Sequence, residues 1–188
     1  MLKEIISGTT DAVVAAIKGV DDILGAITTT VTDQVTNVLK STSEVSGAGV
    51  EAVASVSSGA IKGAGQVGTS LTEASFSTMS GVVNGASQVG SDVFSAIRGG
   101  ALGIVEATAE AGGDVGGAAV SAVESAIKSA GDIGSDTGEA AKAAVGGAMD
   151  AATDVGGDTA ETVRNALLSA AALPRDVIES ALKGTDNK

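Results

Sequence analysis

Residues 154–161 read DVGGDTAE, and residues 132–139 read DIGSDTGE. The window recurs as EAGGDVGG from 110, QVGSDVFS from 88 and QVGTSLTE from 66, each copy 22 residues from the next. In rows of 22 from Asp22, the first column reads Asp22, Glu44, Gln66, Gln88, Glu110, Asp132, Asp154, Asp176. The second reads Ile23, Val45, Val67, Val89, Ala111, Ile133, Val155, Val177. The column 17 places after the first reads Leu39, Ile61, Val83, Val105, Ile127, Met149, Ala171. Beside it stand Lys40, Lys62 and Lys128, with Lys18 a row earlier. Register kept over eight rows defines a tandem repeat. The chain reads as one array over residues 1–188, with an irregular first row 1–21 and a short last row 176–188.

Twenty-two residues over six turns is about 3.67 residues per turn, which is helical and equal to the 11-residue repeat value. On a wheel of that pitch the acidic first column falls in one stripe with Asp92, Asp114, Asp136 and Asp158 and with Glu51, Glu73, Glu139 and Glu161. The second column and the Leu39-to-Met149 column fall opposite, apart from their alanines, and form an apolar stripe. Ala52, Ala74, Ala96, Ala118 and Ala140 make small shoulders between the two. The pattern predicts an all-α protein of amphipathic helices. Propensity pulls the other way: 27 glycines, with many Val, Thr and Ser, leave such helices weak in isolation, so they need a partner surface.

The opening window admits two readings. In a hairpin reading, Gly68, Gly90, Gly112, Gly134 and Gly156 end one helix and the next acidic or hydroxyl residue caps the following one. Ser70/Glu73, Asp136/Glu139 and Asp158/Glu161 have capping-box spacing. In a continuous reading the glycines lie inside one long hendecad helix, as points of close approach. Small residues four apart recur at Gly59 and Gly63, Gly81 and Gly85, Gly103 and Ala107, Ser125 and Ser129, and Gly147 and Ala151. That spacing lets helix backbones approach.

Composition removes most chemistry. There is no His and no Cys, so imidazole catalysis, thiolate nucleophiles, disulfides and ordinary zinc sites are excluded. A net charge of −12 opposes phosphate contacts with nucleic acid and attraction to anionic lipid. No D-x-D-x-D-G calcium loop and no GxxxxGK[ST] occurs, and the plentiful Ser and Thr have no His to activate them, so catalytic, metal and cofactor sites are all expected to be absent. No window approaches ~18 apolar residues and no signal-peptide stretch is seen, which points to a cytoplasmic chain peripheral to a membrane, granule or assembly. An ice-binding threonine face fails, because Thr30 and Thr162 share their column with five alanines.

The 11/22-residue pattern, and DQVTNVLKSTSEV at 33–45 in particular, resembles the synucleins. The Ala/Gly/Thr/Val texture is similar to perilipin repeats and, more loosely, to apolipoproteins and phasins. The resemblance implies helices that coat membranes, lipid droplets or polymer granules. The chain departs from it in its scarcity of flanking lysines, which shifts the expected partner toward neutral or polymer surfaces or other protein helices.

The sequence therefore leads to a non-enzymatic structural protein and two expectations. In the first, the apolar stripe coats a hydrophobic surface. In the second, close-packed small-residue helices self-assemble into a filament, sheath or virion component, with a homo-oligomer as the expected form. Gly59, Gly63, Gly81, Gly85, Gly103 and Gly147 are the candidate helix-packing residues.

Overall fold

A computed structural model of the chain describes residues 2–17, 22–41 and 47–185. Among these residues it contains nine helices and no strand. They are α1 (Leu2–Ile17), α2 (Ile23–Ser41), α3 (Gly47–Gln66), α4 (Leu71–Gln88), α5 (Val93–Glu110), α6 (Val115–Asp132), α7 (Thr137–Val155), α8 (Gly157–Ser169) and α9 (Arg175–Thr185).

The glycine windows decide where each helix stops. Gly68, Gly90, Gly112 and Gly134 have φ of +78°, +65°, +67° and +73°, a left-handed conformation that a side chain resists. Each is the C′ residue of a Schellman turn. The N–H one residue beyond the glycine closes the outer bond: Thr69 to the Ala64 carbonyl (3.0 Å), Ser91 to Ala86 (3.1 Å), Gly113 to Thr108 (2.9 Å) and Ser135 to Ala130 (2.8 Å). The next helix is then capped at once. Ser70 accepts from the Glu73 N–H, Asp92 from Phe94 and Ser95, Asp114 from Gly117, and Asp136 from Gly138 and Glu139. One long helix through these windows is therefore ruled out.

The window at 154–161 departs from this scheme. Gly156 (φ +149°) alone joins α7 to α8 and serves as a helix N-cap with no side-chain bond. Asp158 lies inside the first turn of α8 rather than capping it, so the expected Asp158/Glu161 capping box does not form. Helix α8 starts two residues earlier in its row than α4 to α7, which moves Asp158 past the capping position; Gly112-Gly113 precedes a regular cap at Asp114, so the Gly-Gly pair alone does not account for this.

Loops this short make sequential helices antiparallel neighbours. Packing is strongest, however, between helices two apart: α1, α3, α5, α7 and α9 form one layer, and α2, α4, α6 and α8 the other. Helices within a layer run parallel, as their register shows. Gly59 lies against Ile6 and Gly63 against Thr10; Gly81 lies against Thr28 and Gly85 against Thr32. The partners advance together, four residues at a time. Ile27, Ile61, Met79, Ile97, Ile104, Leu167 and Ile178 are the largest fully buried side chains of the core, and alanines fill most of the rest.

Gly134 isolates the cost of the turn, because a methyl group added there would meet nothing within 4 Å. Gly134→Ala is expected to destabilise the fold by about 1–2 kcal/mol through backbone strain alone. Urea unfolding should show the loss as a lower midpoint at unchanged m-value.

Candidate functional site

The apolar stripe expected from the sequence is largely taken up by the fold itself. Leu39, Ile61, Val83, Val105 and Met149 are buried in the core. Ile23, Val67, Val89, Ile127, Ile133 and Val177 are half-buried, and Val89 and Ile133 are helix C-cap residues. Val155, beside the irregular α7–α8 junction, is the one large hydrophobic exposed among the described residues, at 47%. Val45 lies outside the described residues. The acidic stripe also changes character. Asp92, Asp114 and Asp136 are N-caps, and Glu73 and Glu139 sit in first turns, where a negative charge favours the helix dipole.

The seam between parallel helices is the most specific feature present. A Cβ placed on Gly59 would lie 2.6 Å from the Ile6 carbonyl oxygen; on Gly81, 2.7 Å from Thr28; and on Gly85, 2.8 Å from Thr32. The corresponding contacts of Gly103 with Ala54 and of Gly147 with Arg98 are with backbone too, and Gly63 meets Val13 at 2.9 Å. Real side chains do not fit at such distances, so the glycine hydrogens face the carbonyls directly.

Threonine hydroxyls reinforce the seam. Thr28, Thr32 and Thr36 of α2 donate to the carbonyls of Ser77, Gly81 and Gly85 in α4 at 3.2, 3.3 and 3.4 Å. Thr10 donates to Gly59 at 3.1 Å and Ser125 to Phe76 at 2.7 Å. Every one of these pairs is 49 positions apart, two rows plus five, a spacing that a search of single rows passes over. Gly99, against the Val50 carbonyl, belongs to the same seam and was not among the residues singled out from the sequence.

On the outer face of the odd layer, α3 and α5 enclose an open groove of about 300 Å³. Lys62 pairs with Glu110 across it at 2.7 Å, and Arg98 pairs with Asp150 of α7 further along the layer. Glu106 is half-buried in the groove with no hydrogen-bond donor among the described residues. Burial first, then the nearby carboxylates of Asp154 and Glu110, push its carboxyl above the usual range, against an opposing effect of Lys62. Among the described residues, no three His, Cys, Asp or Glu side chains converge as a metal site requires. None of the described helices is long and apolar enough to cross a membrane. Compared with protein-family models, curated proteins and solved structures, the chain gives no match.

A carboxyl raised in the folded state destabilises the fold when ionised, and the penalty disappears as pH falls through its folded value. Glu106→Gln is therefore expected to raise Tm at neutral pH. The gain should shrink on acidification and vanish below the ordinary glutamate range. Melting curves at a series of pH values would show it, and a gain that stayed constant with pH would assign the effect to packing.

Proposed function

We propose that this is a non-enzymatic structural protein: a rigid, acidic array of tandem 22-residue helical units whose small residues draw helix backbones together. Of the two expectations from the sequence, this is the close-packing one, with the packing satisfied first within a single chain. The reading is carried by the position of the glycines. A helix laid on a membrane or polymer granule gains nothing from Gly81, Gly85 or Gly103, and loses about 1 kcal/mol per glycine relative to alanine. Between parallel helices the same glycines admit a neighbouring carbonyl. A coat formed by the apolar stripe would first have to open the array and expose Ile61, Val83 and Val105.

Two alanine substitutions separate the readings. Gly8 lies in α1 with nothing within 4 Å of an added Cβ, whereas a Cβ on Gly103 collides with the Ala54 backbone. On a coating helix both Gly→Ala changes raise helicity. In a packed array Gly8→Ala gains up to about 1 kcal/mol, and Gly103→Ala loses about 1–3 kcal/mol through overpacking. Circular dichroism should find the chain helical without lipid and unchanged by neutral liposomes. Helicity that appears only with liposomes would return the coat reading to the front.

A further inference from the structure

Interior helices meet the preceding member of their layer through buried small residues. Reading every 22 residues from position 55, these are Ser55, Ser77, Gly99, Ser121 and Ala143; from position 59 they are Gly59, Gly81, Gly103, Ser125 and Gly147. Nearly all are buried, Ser121 and Ala143 being half-buried. Among the described residues α1 and α2 have no predecessor in their layers, and there the first column changes, as does the second in α2, while α1 keeps the small Ala15 in the second. Asp11 and Asp33 occupy the first column, and Asn37 occupies the second in α2; all three are exposed. Asn165 of α8 stands in the first column too, but α8 approaches α6 through neighbouring residues, with Ala166 and Thr162 against Gly116.

Asp33 and Asn37 lie on the side of α2 away from α4, since α2 meets α4 through Thr28, Val31, Thr32 and Val35. The interior glycines of these columns, Gly99 in the first and Gly59, Gly81, Gly103 and Gly147 in the second, have a carbonyl oxygen within 3 Å of where a Cβ would stand, and the remaining positions hold only Ser or Ala. A carboxylate or carboxamide there holds an incoming helix several ångströms off and sets its oxygens against that helix's carbonyls. Arrays of stacked units require a polar terminal face to stay soluble. We propose that Asp11, Asp33 and Asn37 close the N-terminal end of the array, so that a second copy of this chain cannot add to it end to end. This goes beyond the structural role proposed above. It concerns only end-on growth, which is head-to-tail and open-ended, and leaves closed symmetric association untouched.

The test is sedimentation of the full chain over a hundredfold concentration range. Wild type is expected to reach a fixed stoichiometry. The variant Asp11→Ser/Asp33→Ser/Asn37→Gly, which restores the interior residue types, is expected to grow with concentration without a plateau. A version carrying Asn37→Ala keeps helix propensity if the glycine weakens α2, and circular dichroism establishes that each variant is folded. Open-ended growth by the wild type would overturn the proposal. So would folded variants whose mass curves superimpose on that of the wild type. A failure of the structural role would show separately, as a chain helical only with liposomes.

Discussion

Backbone meeting backbone between parallel helices two apart in the chain is the contact on which the rest of the molecule depends. Such an approach leaves no room for a Cβ at Gly81 or Gly103. It accounts for a core of alanine and valine with 1% aromatic residues. Each small side chain removes little area from water. Cohesion comes instead from many short contacts, since close approach multiplies dispersion contacts that are individually tiny. The same closeness brings threonine hydroxyls within reach of a neighbour's carbonyls. The hydroxyls of Thr10, Thr28 and Thr32 also lie within hydrogen-bonding distance of their own helix's carbonyls four residues back, so the inter-helix bond is an additional option rather than a rescue of an orphan.

Parallel register demands helices of equal length, and the turn chemistry supplies it. With a Schellman glycine at one end and a capping Ser or Asp at the other, α4, α5 and α6 each have 18 residues, about 27 Å. If one helix ran on by a turn, every later glycine would face the wrong carbonyl. At α7–α8 the turn chemistry changes, and the register changes with it: α8 presents Thr162 and Ala166 to α6. Several acidic residues serve this geometry at helix ends, Asp92, Asp114 and Asp136 as N-caps and Glu73 and Glu139 in first turns, while Lys62, Arg98, Glu106 and Asp150 stand on the helices of the odd layer.

The sequence made local structure readable and left the partner of each face unreadable. Helices, their breaks at Gly68 to Gly134, and the caps at Ser70 and Asp136 follow from residues within a few positions of one another. So does the importance of small residues four apart. What periodicity could not say was which helix each face meets. A stripe of Ile61, Val83 and Val105 looks the same on a wheel whether it awaits lipid, another copy or the neighbouring layer. The deciding contacts, Gly103 with Ala54 or Thr28 with Ser77, join residues 49 apart, and nothing local selects that distance. Asp158 shows the complementary error: its capping box was correct by spacing and failed because α8 begins at Gly157, one residue before it.

The two sequence expectations differ in what they require of glycine, and this bears on function more than the apolar stripe does. Valines and isoleucines on one face serve a coat and a core equally well, because burial is non-directional and rewards either. Glycine at a fixed place in a helix is directional. It lowers helix stability wherever it stands and returns something only where another backbone arrives at that place. Gly59, Gly63, Gly81, Gly85, Gly99, Gly103 and Gly147 all stand where one does. In a chain whose helices are weak alone, placing so many poor helix formers at the contact is consistent only if the contact forms each time the helix does. The helices are then conditional on the array, and the array, rather than any single amphipathic helix, is the unit of structure.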